Sequence, residues 1–186
     1  MNRLRQQIAA YIPCNAQETA DRQMMLAALD TLDNPLSREN VFAHFSASGW
    51  IVNPDRTRAL MAWHNIYRTW AWTGGHADGE ADLLAVALRE AREETGIRDI
   101  APLTRDIYSI EVIPVNAHVK RGAFVSAHLH MNVTYLLCAD DAQPIQPKPD
   151  ENSAVAWMPL EEAADNRDEP YMAVIYRKLN EKLKGC

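Results

Sequence analysis

Gly74-Gly75-His76-Ala77-Asp78-Gly79-Glu80-Ala81-Asp82, continuing through Leu83 to Arg89-Glu90-Ala91-Arg92-Glu93-Glu94-Thr95-Gly96-Ile97, decides how this chain folds. A glycine-rich turn leads into a helical run. Asp82 stands where an N-cap belongs, and Gly96 suits the left-handed residue that closes a helix. On a 3.6-residue period Leu84, Ala87, Leu88 and Ala91 form an apolar face, while Glu90, Glu93 and Glu94, at i, i+3 and i+4, gather into a carboxylate cluster.

Like charges at this spacing cost an isolated helix about 0.2–0.5 kcal/mol per pair, so helix stability does not select the arrangement. Two readings account for it. The cluster is a solvated acidic face screened by Arg89 and Arg92, or it holds a hard divalent cation, which takes carboxylate oxygens and bridges to substrate phosphates. The glycine turn favours the second reading, because it lets backbone approach the same face.

The stretch resembles the signature of the Nudix hydrolases, G-x5-E-x7-R-E-U-x-E-E-x-G-U, with U a bulky aliphatic residue. Gly75, Arg89-Glu90, Glu93-Glu94, Gly96 and Ile97 match at the required spacing. Two positions depart: Ala81 stands where a glutamate belongs, with Glu80 one residue early, and Ala91 is smaller than the usual aliphatic residue. The resemblance implies an α/β fold, an α/β/α sandwich around a mixed β-sheet. It assigns catalysis to Arg89, Glu90, Glu93 and Glu94, with Mg²⁺ or Mn²⁺ held by the three glutamates and the Gly74 carbonyl. Arg89 would orient the glutamates and Glu80 would anchor the turn. The implied activity is metal-dependent hydrolysis of a nucleoside diphosphate linked to another moiety X, nucleoside triphosphates and their oxidised forms included. Two alternatives stay open: an enzyme like isopentenyl diphosphate isomerase, and a catalytically silent Nudix domain used as a ligand sensor. The first needs a cysteine near an early strand, and 50–72 contains none.

Composition agrees. The 186 residues, 47% hydrophobic, suffice for one good core. A net charge of −6 argues against gripping polymeric nucleic acid, but leaves room for a small diphosphate substrate met through metal ions. Cys14, Cys138 and Cys186 are odd in number and far apart, suggesting neither a disulfide framework nor a cysteine zinc site. The polar start at Asn2–Gln7 and the lack of a long apolar run predict no signal peptide and no membrane span, hence a cytoplasmic protein.

Outward from the motif, residues 1–12 and 17–32 read as helices, the second with Met24, Met25, Ala28 and Leu29 on its apolar stripe. Asp33-Asn34-Pro35 breaks the pattern. Residues 1–36 are therefore expected to be a helical extension that covers the domain or joins a homodimer, with the Nudix domain over 37–186. Phe45–Val52 and Thr57–Trp63 read as a hairpin, and Tyr67–Trp72 as a strand entering the glycines. Trp70 and Trp72 suit packing better than base stacking. Beyond the helix, 107–115 reads as a strand and 116–126 as a polar loop carrying His118, Lys120 and Arg121. In 127–138, His128, His130 and Asn132 alternate to one face and Leu129, Met131 and Val133 to the other. The two histidines suit either a transition metal or phosphate contact, or a plain hydrogen-bonded strand face. Gly75, His128, His130, Lys120 and Arg121 are thus the substrate-binding candidates. Residues 140–153 read as a loop, in which Asp150 and Glu151 are candidates for the base. A short strand over 154–158 and a final helix over 170–184 complete the chain.

Overall fold

The computed structural model describes residues 2–120, 122–165 and 169–185. Two helices, α1 (Asn2–Ala10) and α2 (Ala16–Thr31), precede a central strand β1 (Ala43–Val52). β1 turns into β2 (Arg58–His64), followed by the short β3 (Thr69–Ala71) and β4 (Thr73–His76). The motif helix α3 (Leu83–Thr95) leads to β5 (Ile100–Pro102) and β6 (Ser109–Val115). A small hairpin, β7 (His118–Lys120) and β8 (Ala123–Val125), precedes the long β9 (His128–Ala139). β10 (Asn152–Pro159), α4 (Leu160–Ala164) and α5 (Pro170–Leu183) close the chain.

The main sheet is mixed. β1 runs parallel to β9 with His44 opposite His130, and antiparallel to β4, with Ser46, Ala47 and Ser48 opposite His76, Gly75 and Gly74. β2 continues the same edge of β1 at Val52–Ala59, and β10 and β3 pair with β2. β5 and β6 both add to the far side of β9. Every residue of β1 is buried, as a strand covered on both faces requires. On one face Phe45, Ala47 and Ile51 share a core with Leu83, Leu84, Val86, Ala87 and Ala91 of α3 and with Leu4, Ile8 and Met25 of α1 and α2. On the other, Trp50 and Val52 pack with Ile175, Tyr176 and Leu179 of α5. The expected sandwich of helices about a mixed sheet is the fold observed, and no helix among the described residues is long and apolar enough to cross a membrane.

Four expectations change. Gly74 and Gly75 lie inside β4 rather than in a turn; the left-handed turn falls at Asp78 and Gly79. Residues 116–126 are not a plain loop but the β7–β8 hairpin, whose Val119 and Phe124 face each other and stay exposed. The loop reading weighed polar composition and overlooked these strand-forming residues around Gly122, at φ 81°. Tyr67 and Arg68 belong to a turn, with Arg68 at φ 55°, so the strand there starts only at Thr69. Met24 is 43% exposed, because the buried stripe of α2 runs through Met25, Ala28 and Leu29. Trp70 meets Trp63 edge-on and Trp72 meets Tyr176 edge-on, both as packing residues.

Candidate active site

α3 begins and ends on local chemistry. Asp82 accepts the Ala85 N–H at 3.2 Å, Glu80 accepts the Asp82 N–H at 2.9 Å, and Gly96 closes the helix at φ 69° with its N–H on Arg92 O. The one-residue shift of the glutamate to position 80 thus leaves its carboxylate bracing the helix start. Ala81 packs against the core beside it.

Along the last turns of α3 the three glutamates are graded in burial. Glu93 is exposed, Glu90 is half-buried and Glu94 is 7% exposed. Burial, opposed by the Gly74 N–H that donates to Glu94 Oε1 at 2.8 Å and aided by the nearby Glu90 charge, pushes the Glu94 carboxyl up to about 8. Burial and the Glu93 charge also raise Glu90, while Arg89, 3.4 Å from Glu90 Oε1, works the other way. A solvated acidic face would show neither the burial nor these shifts.

The strand explains why glycines stand here. A Cβ on Gly75 would lie 2.5 Å from Glu90 Cδ, on the α3 side of β4. One on Gly74 would lie 2.5 Å from Ser48 Oγ and 2.7 Å from Ala47 O, within the sheet. The Glu90 carboxylate therefore rests directly on backbone, in a cradle that any side chain at 75 would fill.

The loop after β9 docks on the same end of α3. Gln146 N–H donates to Thr95 O at 2.7 Å, and buried Asn152 donates to Glu94 O at 3.0 Å while accepting the Lys148 N–H. This sets Lys148 Nζ 3.3 Å from Glu93 and 3.2 Å from Glu151. Glu151 also raises Glu90 and Glu94 electrostatically, so it converges on the cluster; Asp150 is exposed. Arg38, in the segment before β1, is paired with Asp78 and feels the charge of Glu90 and Glu151.

The remaining candidates scatter. Lys120 is placed only as the last residue of β7, and Arg121 lies outside the described residues. His128 and His130 sit at the start of β9, where they meet His44 and His76. Their strand neighbour Asn132 belongs instead to a buried polar network, accepting from Ser46 and Ser48 and donating to Glu111. Reading the sequence missed Arg38, Lys148, Asn152, His44 and His76. His76 comes directly after the glycines and could have been noticed; the others carry no local signal.

A family model described as a NUDIX domain matches residues 43–179. The chain belongs to the Nudix family. Solved structures agree in fold at low identity. The MutT protein from Methanosarcina mazei Go1 superposes with a TM-score of 0.61 at 16% identity, covering 78% of this chain and 98% of that one. The Ap4A hydrolase of C. elegans, in a binary complex, gives 0.54 at 19% identity over 76% and 98%. The NUDIX domain of Shewanella oneidensis NrtR, complexed with ADP ribose, gives 0.50 at 16% over 82% and 95%. No curated protein matches the chain. Membership and fold together make it a Nudix-type hydrolase, a family that uses divalent metals. The matched region begins after α1 and α2, which nevertheless share its core.

Proposed function

We propose that this hydrolase cleaves a diphosphate joining a nucleoside to a second moiety, with Mg²⁺ or Mn²⁺ held by Glu90, Glu93 and Glu94 and by the Gly74 carbonyl. The supporting observation is the carboxylate cluster pressed against β4. Three carboxylates with two of them raised form an electrostatically unfavourable donor set that a cation relieves, and all-oxygen ligation suits a hard ion. Bound there, such an ion neutralises the diphosphate and lowers the pKa of its water.

The chain's own residues do the rest. The Gly74 N–H fixes Glu94, Arg89 pairs with Glu90, and the Gly75 backbone leaves room for the Glu90 carboxylate. Lys148 and Arg38 bring positive charge to the rim, where an anionic substrate arrives. Glu151, held by Lys148, is the better placed of the two base candidates, Asp150 being turned to solvent. Relatives in fold include an Ap4A hydrolase and a domain complexed with ADP ribose, so dinucleotides and nucleotide sugars join nucleoside triphosphates as substrates to try. An isomerase-like cysteine is absent from this end of the sheet among the described residues: Cys138 lies at the far end of β9, opposite Val52, and Cys14 lies between α1 and α2.

The test is turnover on nucleoside triphosphates, dinucleotides, nucleotide sugars and isopentenyl diphosphate, with Mg²⁺ or Mn²⁺ and with EDTA. We expect one metal-dependent hydrolytic activity that falls at least ~100-fold in Glu93→Gln and Glu94→Gln with the fold intact. Wild-type kcat in both variants would refute the assignment, and metal binding without any turnover would favour a ligand sensor.

A further inference from the structure

Four histidine rings meet on the sheet face turned away from α3. His44 lies near the start of β1, His76 at the end of β4, and His128 and His130 at the start of β9. The strand register causes this: His44 is opposite His130, and His76 is opposite Ser46, two residues along β1 on the same face. Ring centroids stand 5.0 Å apart for His44–His76, His44–His128 and His44–His130, 4.9 Å for His76–His130 and 5.1 Å for His128–His130.

The nitrogens are oriented as well as close. Ring nitrogens of His44, His76 and His130, one from each, all lie within 4.8 Å of one another. His44 Nδ1 sits 3.0 Å from Asn40 O, and a carbonyl only accepts, so the ring donates through Nδ1 and presents an Nε2 lone pair. That ring is 4% exposed, and its Nε2 has no hydrogen-bond partner among the described residues. His128 is set the same way: Nδ1 donates to Ser126 O at 2.8 Å, and Nε2 lies 3.2 Å from His130 Nε2. A carbonyl on Nδ1 with Nε2 turned inward is the outer-shell arrangement that holds a metal-binding histidine in one tautomer. Two nitrogens of a tetrahedral site with bonds near 2.0–2.1 Å stand about 3.3 Å apart, which the His128–His130 pair already matches.

We propose that His44, His76 and His130, with His128 beside them in contact with His130, form a second metal site for a borderline divalent transition ion, zinc foremost. All-imidazole donors suit Zn²⁺, Ni²⁺ or Cu²⁺ and offer little to Mg²⁺, so this site and the glutamate cluster select different ions. Buried polar atoms are normally satisfied, and an orphaned imidazole nitrogen is unfavourable unless something binds it. The ion would tie the end of β4 to β1 and β9. It would do so one residue beyond Gly75, hence beside the backbone on which Glu90 rests. Such a site is independent of which diphosphate, if any, is hydrolysed.

The experiment is Co²⁺ and Zn²⁺ binding to EDTA-stripped protein in excess Mg²⁺. It is followed by the visible cobalt spectrum and by X-ray absorption of the zinc-loaded wild type. We expect one ion per chain with a shell of imidazole nitrogens. Affinity should fall at least ~10-fold in His44→Gln, His76→Gln and His130→Gln and stay unchanged in Glu93→Gln. An all-oxygen shell, loss of binding in Glu93→Gln, or no binding at all would overturn the site. The absorption measurement needs no variant, so it decides the matter even where His44→Gln disturbs the buried end of β1.

Discussion

Gly74 and Gly75 are adjacent, yet an added methyl group meets a different neighbour at each. At Gly75 the obstacle is the far end of Glu90, a flexible side chain that can swing away; at Gly74 it includes the Ala47 carbonyl, which cannot. Gly75→Ala is therefore expected to keep its melting temperature within a few degrees while kcat falls more than tenfold, because Glu90 is displaced. Gly74→Ala should lose roughly 1–3 kcal/mol, the usual cost of overpacking, seen as a lower denaturant midpoint. Equal effects of the two variants on both readouts would contradict this geometry. Glu94 shows how misleading the sequence pattern is at this scale. It reads as one of three equivalent acids, yet it is the buried one, since its place on the helix turns it under β4 onto the Gly74 N–H.

α3 is a self-contained element, capped by Asp82 and Gly96, but the segment between β9 and β10 determines its working end. Asn152, 1% exposed, links Glu94 O to the Lys148 N–H, and so joins the last turn of α3 to the segment that carries Lys148 and Glu151. Asn152→Ala leaves two backbone groups unpaired, and chemical denaturation should show a loss of roughly 1–3 kcal/mol. The same variant should raise the Mg²⁺ concentration needed for half-maximal turnover, as Glu93 and Glu151 lose their shared lysine. Unchanged metal dependence would mean that the docked segment has no part in the site. That 140–153 forms a loop is legible in its composition. That it is pinned, and to what, depends on hydrogen bonds between segments far apart in the chain.

For the whole molecule the decisive contact is a buried ionic network rather than the carboxylate cluster of α3. Glu18 of α2 is fully buried, 2.8 Å from Lys182 and 3.1 Å from Lys178 of α5, and it also accepts from Tyr11 and from the Cys14 N–H. Lys178 continues to Glu111 on β6, and Asp21 accepts the Val112 N–H, so α2 and α5 cover the open edge of that strand. Burial alone would raise the Glu18 carboxyl; Lys182, the Cys14 N–H, Lys178 and Tyr11 outweigh it and hold the group at about 2, against an ordinary 4.5. A depressed carboxylate contributes stability that is complete above about 4.5 and is lost as pH falls through about 2, because the unfolded chain takes up the proton first. The wild type should therefore lose up to roughly 3 kcal/mol across that window from this group, and Glu18→Gln should flatten the acid limb. At neutral pH Glu18→Ala removes the carboxylate that Lys182 and Lys178 share, leaving Lys178 on Glu111 and Lys182 on Tyr11, and should cost roughly 1–3 kcal/mol in equilibrium unfolding. A neutral-pH loss under about 1 kcal/mol would mean that the network contributes little.

The sequence by itself determined what is local: the α3 helix and its two caps, the alternation along β9, the outlines of most strands and the family. These come from spacings of one to four residues and from a motif read in register. Tertiary structure alone decided which glutamate is buried, why both glycines are needed, and that Glu18 ties the first helices to the last. It also brought positions 44, 76, 128 and 130 into one cluster. The reason is physical: each of these depends on sheet register between strands distant in sequence, and on the burial it produces. A histidine at 44 carries no trace, in its own neighbourhood, of the histidine that will stand opposite it at 130.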